Sequence, residues 1–183
     1  MQTYIKEAEV KTNGGPEQIS WKEYELPEPS LGQVAIKHTF VGLNFIDTYH
    51  RSGLYPLSLP TKLGMEAAGI VIGKSSDIAN FEIGDRIAYV MALGSYSTHR
   101  IIDADKLVKI PEKISDQQAA AVLLKGMTVE YLVERLFKIN NSHTVLFHAV
   151  AGGVGLLACQ WLKHLGAKII GTAGSIEKAM LAK

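Results

Sequence analysis

The stretch Val145–Gln160 passes from apolar residues through Val150-Ala-Gly-Gly-Val-Gly155 into Leu156, Leu157 and Ala158. That order is a strand, a glycine-rich turn and the opening of a helix. Such a corner offers backbone N–H groups and a helix N-terminus to an anion, and in dinucleotide-binding folds the anion is a pyrophosphate. The segment departs from G-x-G-x-x-G, since Val150 stands at the first glycine position. Its surroundings supply what the motif lacks: a strand before it, a helix after it, and a second apolar run at Lys168–Thr172, all within one βαβ unit. Gly152 and Gly153 let backbone approach the pyrophosphate, Val154 follows them into the helix, and Gly155 permits close helix–strand contact. Selectivity for NAD calls for a carboxylate at the tip of the second strand. Here Gly171-Thr-Ala-Gly-Ser-Ile-Glu-Lys178 has no acid at that tip. Ser175 can donate a hydrogen bond and Lys178 can offer charge to a 2′-phosphate, with Glu177 offsetting part of it, so NADPH is favoured. The competing reading is an ordinary N-cap serine beside a solvated lysine. Cys159 falls among Leu156, Leu157 and Trp161 and is expected to be a packed thiol. His148, at the first strand's tip, is expected to be packed or hydrogen-bonded rather than a general base.

Two groups of elements must hold this corner. Up to about residue 110 the chain shows short strands between turn signals: an opening strand before Gly14-Gly15-Pro16, then Ile19–Leu26, Val34–Val41, Gly69–Gly73, Arg86–Val90, Tyr96–Ile102 and Lys106–Ile110. Strands at this spacing, with little helix, predict a small β-barrel. After Pro111 the pattern turns helical. Ser115 caps a run of helix formers to Leu124, Thr128–Lys138 predicts a second helix, and a third runs from about Gly153 to Leu165 with Gly166 at its C′ position.

Composition narrows the classes. Lys and Arg total 19 against 18 for Asp and Glu, a net charge of +1 that gives no electrostatic case for nucleic acid or an anionic membrane. One cysteine excludes an internal disulfide framework or a cysteine-cluster zinc site, and suits a reducing, cytoplasmic setting. No signal peptide is expected from Met1–Val10, and no apolar stretch reaches membrane-spanning length.

Several segments carry a family resemblance in the right order: Gly14-Gly-Pro-Glu17, Gly42-Leu-Asn-Phe-Ile-Asp-Thr-Tyr49 continuing into Arg51-Ser-Gly-Leu-Tyr-Pro56, Gly64-Met-Glu-Ala-Ala-Gly-Ile-Val71, Gly84-Asp-Arg86, Leu124-Lys-Gly-Met-Thr-Val-Glu-Tyr131 and Ala151–Gly155. Together they resemble the zinc-independent quinone oxidoreductases, the zeta-crystallin-like NADPH:quinone reductases of the medium-chain dehydrogenase/reductase superfamily. The resemblance implies a GroES-like β-barrel over 1–120 and the first, incomplete part of a Rossmann NADP-binding domain over 121–183. It implies hydride transfer from NADPH to a quinone. It also implies that Asn44, Phe45, Ile46, Asp47, Thr48 and Tyr49 form a cofactor-facing loop, with Thr128 and Tyr131 alongside. Gly152, Gly153 and Val154 would hold the pyrophosphate, and Gly174, Ser175 and Lys178 the 2′-phosphate. Tyr49 is the candidate proton donor, with Tyr55 behind it. Read without the resemblance, Asn44 and Asp47 are turn-stabilising side chains. Arg51 either pairs with an acid or lines a cleft mouth.

Zinc alcohol dehydrogenases of the same superfamily carry a cysteine near Asn44 and a histidine before the glutamate of the Gly-x-Glu motif. Here those places hold Asn44 and Met65, so no metal is expected. The resemblance further implies a longer, homodimeric protein, of which 183 residues form an incomplete piece. Alternatives are an enone or 2-alkenal reductase on the same scaffold, a nucleotide- or RNA-binding protein, and a vestigial fragment.

Overall fold

Short runs of β-branched and small residues, punctuated by turns, build the first half of the chain. The computed structural model describes residues 3–182. In chain order the elements are β1 (Tyr4–Val10), β2 (Ile19–Glu25), β3 (Gln33–Val41), α1 (Phe45–Ser52), β4 (Thr61–Lys62), β5 (Glu66–Lys74), β6 (Arg86–Val90), β7 (His99–Asp103) and β8 (Val108–Lys109). Then follow α2 (Asp116–Glu130), β9 (Thr144–Phe147), α3 (Gly153–His164), β10 (Lys168–Gly171) and α4 (Ile176–Leu181). The chain divides into two compact units between Leu123 and Leu124.

In the first unit, antiparallel strands form one sheet of order β2-β1-β4 and another of order β7-β3-β5-β6-β8. Val34, Ile36, Val71, Ile87, Tyr89 and Ile102 are buried together as its core. Register breaks between Ala35 and Ile36 and between His38 and Phe40 bend β3, as bulges do at barrel corners. On β1 the inward face also carries Glu7, buried and paired with Lys62 Nζ at 2.8 Å. The start of α2 is fixed by a capping box: Gln118 N–H donates to Ser115 Oγ at 3.1 Å, and Ser115 N–H donates to Gln118 Oε1 at 2.9 Å. Asp116 then ties the helix to the strands by accepting from Arg86 Nε and Thr39 Oγ1, both at 2.7 Å. Ala119 and Ala120 close a second small core against Ala68, Ala88 and Ile110.

In the second unit β9 and β10 pair in parallel. One face of this pair packs Val145, Phe147 and Ile169 with Val129, Val133, Ala158 and Leu162; on the strands' other face Leu146 and Ile170 remain exposed. Gly166, at φ 75°, ends α3 in the left-handed conformation a C′ glycine supplies.

The structure departs from the sequence expectation in three places. The stretch Gly42–Pro56, expected as a cofactor-facing loop, contains α1 at Phe45–Ser52, so the first unit holds more helix than strand spacing suggests. The two helices expected at 115–124 and 128–138 are one helix, α2, that passes into a π-helical segment, Tyr131–Leu136. Gly126 does not break it, because a lone glycine costs only about 1 kcal/mol and both ends are pinned by packed side chains. Finally, the strand expected at 96–102 begins at His99, and the one at 106–110 shrinks to Val108–Lys109 behind a 3-10 turn, Ala104–Lys106.

A buried polar chain runs beneath β3. His38 Nδ1 lies 2.7 Å from the Ser97 carbonyl, which can only accept, so the imidazole proton sits on Nδ1. Nε2 is then free to accept from Tyr89 OH at 2.9 Å, and the phenol oxygen accepts from Arg100 Nη1 at 3.1 Å. Burial pushes the His38 pKa from 6.5 down to about 4; the Ser97 bond opposes this, and the Arg100 and His99 charges assist it. Between those two values the unfolded chain binds the extra proton and the folded one does not, so stability falls as pH drops through that window. The gap is worth about 3 kcal/mol at roughly 1.4 kcal/mol per pH unit. Urea denaturation between pH 7 and 4 should show that loss, and His38→Gln should flatten it. A His38 resonance titrating near 6.5 in the folded protein would contradict the assignment.

Candidate functional site

The chain leaves β3 through Gly42 and Leu43, and Asn44 starts α1 from an extended conformation, φ −128° and ψ 148°. Asp47, at the third helical position, accepts the Asn44 backbone N–H at Oδ2 over 2.9 Å, which is half of a capping box. The local, turn-stabilising reading of these two residues is therefore correct as far as it goes. Both are also buried, and both reach further. Asn44 Nδ2 donates to Glu66 Oε2 at 2.8 Å, and Tyr96 OH donates to Asp47 Oδ2 at 2.8 Å. Glu66, wholly buried at the start of β5, has its backbone carbonyl taken by Gly42 N–H at 2.9 Å. A side chain at Gly42 would collide with the Glu66 carboxylate and the Ala120 carbonyl, so only glycine lets the strand end come this close. Burial, aided by the Asp47 carboxylate that accepts its proton, raises the Tyr96 pKa far above that of an ordinary phenol.

The other face of α1 is aromatic. Phe45 is exposed and meets Tyr49 edge-on, with ring centroids 5.3 Å apart; Tyr49 in turn lies 5.1 Å from Tyr55. His50 is buried, its Nδ1 without a hydrogen-bond partner among the described residues, and its ring centroid lies 6.3 Å from that of Tyr55. Ile46 is half-buried, and the Thr48 hydroxyl turns back to the Phe45 carbonyl at 2.7 Å. Arg51 Nε donates to the Gly14 carbonyl at 3.1 Å and serves as a clasp on that loop. One short helix thus gathers Asn44 through Tyr49, with Asn44 and Asp47 inward and Phe45 outward. Glu66, Tyr96 and His50 belong to the same cluster and are absent from the sequence-derived set. Glu66 had a signal, the Gly64-Met-Glu run. Tyr96 had none, since it lies 49 residues from its partner.

The second unit holds the glycine corner. Gly152 is the N-cap of α3, with φ −77° and ψ 167°, and its N–H is taken by the Ala149 carbonyl at 2.8 Å. The N–H groups of Gly153 and Val154, at the first two helical positions, have no acceptor within the helix. No acidic residue occupies that first turn. A Cβ on Gly155 would stand 2.5 Å from the Ala149 carbonyl oxygen and 2.6 Å from Val150 Cα, so this glycine is required by close approach. The space beside Gly174 is open. Ser175 caps α4, its Oγ accepting the Lys178 N–H at 3.3 Å. Its hydroxyl also helps to hold the Glu177 carboxyl below the usual range, after the larger effect of Glu177's own backbone. The N-cap reading of Ser175 therefore holds, and Lys178 is exposed. Both groups lie just past the C-terminal ends of β9 and β10, where open α/β sheets bind ligands. Thr128 donates to the Leu124 carbonyl at 2.9 Å, and Tyr131 is exposed on the π-helical segment. His148 is hydrogen-bonded to Thr172 at 3.1 Å, and Cys159 is partly buried, its pKa raised by burial. Among the described residues no three or more His, Cys, Asp or Glu side chains are grouped to hold a metal ion, and no helix is long and apolar enough to cross a membrane.

Residues 30–112 match the alcohol dehydrogenase GroES-like domain. Over 180 residues the chain is 47% identical to a quinone oxidoreductase of Pseudomonas aeruginosa, a match covering 97% of this chain and 55% of that protein. The crystal structure of Escherichia coli quinone oxidoreductase complexed with NADPH superposes with a TM-score of 0.93 at 48% identity, again over 97% of this chain and 55% of the other. Along almost its whole length the chain is similar to quinone oxidoreductases, and over residues 30–112 to the GroES-like domain of alcohol dehydrogenases. A 2-haloacrylate reductase of Burkholderia is a more distant relative, 38% identical over 186 residues, covering 98% of this chain and 56% of that one. The chain thus spans little more than half the length of these relatives. Its fold is the family's GroES-like barrel followed by the opening strands and helices of a Rossmann sheet.

The Asp47–Tyr96 bond is a buried, charge-assisted one. Tyr96→Phe should lower the unfolding free energy by about 2 kcal/mol and Asp47→Ala by about 3 kcal/mol, because the latter also strips the Asn44 cap. A urea double-mutant cycle should return a coupling above about 1 kcal/mol. Additive losses would mean that the two side chains do not act on one another.

Proposed function

We propose that the protein carrying this chain transfers a hydride from NADPH to a quinone without zinc. The identity of 47% or more to quinone oxidoreductases along almost the whole chain carries this reading. The corner suits the cofactor: the N–H groups of Gly153 and Val154 belong to a first turn with no side-chain cap and no acid. Lys178, exposed beside the open space at Gly174, suits a 2′-phosphate, while Glu177 weakens that preference. NADPH, when bound, supplies the hydride, so the protein's part is orientation and exclusion of water. Asn44 and Asp47, locked by Glu66 and Tyr96, give a rigid seat for the nicotinamide end. Tyr49, flanked edge-on by Phe45 and at a tilt by Tyr55, is the residue assigned to hold a flat ring and to give the proton that the reduced oxygen needs. The donor set speaks against a zinc alkoxide route, since Asn44 is committed to Glu66 and Met65 offers no imidazole. A single, partly buried cysteine suits a reducing, cytoplasmic setting.

A second reading has a specific support: the 2-haloacrylate reductase relative favours hydride delivery to the carbon of an activated alkene. Loss of NADPH absorbance with 1,4-benzoquinone and with an α,β-unsaturated ketone separates the two. Quinone turnover is expected to exceed enone turnover by about tenfold or more, a difference of about 1.4 kcal/mol in barrier, and to survive a chelator. Tyr49→Phe should lower kcat, and Lys178→Ala should raise the NADPH dissociation constant while leaving that for NADH unchanged. Failure to bind NADPH, or chelator-sensitive activity, would overturn the proposal.

A further inference from the structure

Thr172 directly follows β10, and all of its hydrogen-bonding groups are spent on the tip of β9. Its N–H donates to the Phe147 carbonyl at 3.0 Å, and its carbonyl accepts the Val150 N–H at 3.1 Å. Its Oγ1 accepts the Ala149 N–H at 3.3 Å and lies 3.1 Å from His148 Nδ1. The second lone pair or the proton of the hydroxyl serves His148 Nδ1, according to the imidazole tautomer.

The residue held in this way is Ala149, at φ 54°. An L-residue with a side chain adopts that left-handed state only where its surroundings fix it, and such positions gather at functional turns. The consequence passes directly to the cofactor corner. The Ala149 carbonyl receives the Gly152 N–H at 2.8 Å, and Gly155 packs against the same carbonyl. Gly152 is the N-cap of α3, so the orientation of Ala149 sets where the helix begins and where the Gly153 and Val154 N–H groups point.

We infer that Thr172 is a positioning residue for dinucleotide binding: its hydroxyl holds Ala149 left-handed and thereby aims the first-turn N–H groups of α3 at the pyrophosphate. This rests on the dinucleotide reading of the corner. The backbone bonds of Thr172 would be made by almost any residue, so the claim stands on Oγ1 alone. Thr172→Val keeps the shape and removes the hydroxyl, Thr172→Ser keeps the hydroxyl, and Ala149→Gly removes the need for it, since glycine takes positive φ freely.

The test is a fluorescence titration of the protein with NADPH. Thr172→Val is expected to weaken binding about tenfold with the quinone KM unchanged, and Thr172→Ser to stay within about twofold of the parent, as expected for loss and retention of one net hydrogen bond. The double variant Thr172→Val/Ala149→Gly should recover to within about threefold, because the strain that the hydroxyl opposes is gone. Amide exchange at Gly152, measured without cofactor, should quicken in Thr172→Val and slow again in the double variant. Unchanged NADPH affinity in Thr172→Val, or a double variant as weak as the single, overturns the inference. If the parent itself fails to bind NADPH, the dinucleotide reading falls, and unchanged Gly152 exchange in Thr172→Val would show that the latch is absent as well.

Discussion

A carboxylate with no exposed surface constrains everything around it. Glu66 is fully buried at the start of β5, and a buried charge costs several kcal/mol unless donors meet it. Asn44 supplies one such donor, and to do so it must sit where β3 ends. Position 42 must then be glycine, because the strand end and the carboxylate occupy the space a side chain would need. With Asn44 fixed, α1 can begin only there, Asp47 falls within reach of the Asn44 N–H and of Tyr96, and the aromatic residues of α1 are turned to its other side. The placement of every candidate residue from Asn44 to Tyr49 follows from that single buried group.

What could be read from the sequence divides along the range of the interactions involved. The glycine corner was legible because its logic is local: strand, Gly152, Gly153, Gly155 and helix follow one another within a few residues, and the structure shows each where the spacing implied. The caps at Ser115, Ser175 and Gly166 were legible for the same reason. The polar cluster was not. Asn44 meets Glu66 across 22 residues and Asp47 meets Tyr96 across 49, and strand pairing, which no local pattern encodes, brings them together. The α1 error has a local cause of another kind. Asn44 and Asp47 suit turns as well as caps, and eight residues are too few for helical periodicity to outweigh them. Continuity of α2 through Gly126 was hidden because packing at both ends, and not propensity, keeps the helix whole.

Structural and functional duties coincide at Asn44 and Asp47. Each completes the cap of α1 while belonging to the rigid patch proposed to seat the nicotinamide. Such double use makes geometry cheap to hold, since the bonds that fold the helix also fix its side chains. It also ties the site to stability: no change at either residue can test binding without disturbing the fold. Tyr49 and Lys178, which make no comparable structural bonds among the described residues, are the better probes of chemistry.

The four α-helices among the described residues differ at their N-termini, and the difference bears on which one could receive an anion. Asp47 occupies the first turn of α1 and accepts a backbone N–H there. The start of α2 carries Asp116 and the Ser115–Gln118 capping box, and α4 carries Glu177 and the Ser175 cap. Side chains have closed all three, and a nearby carboxylate opposes any second negative charge. Among the described residues, only α3 begins without a side-chain cap or an acid in its first turn. Its N–H groups would ordinarily be satisfied by a serine or aspartate at the N-cap, and a glycine stands there instead. On the proposed cofactor reading, a cap side chain at position 152 would fill the ground a pyrophosphate needs, so α3 would give up the stability of a cap and keep its positive end for a ligand.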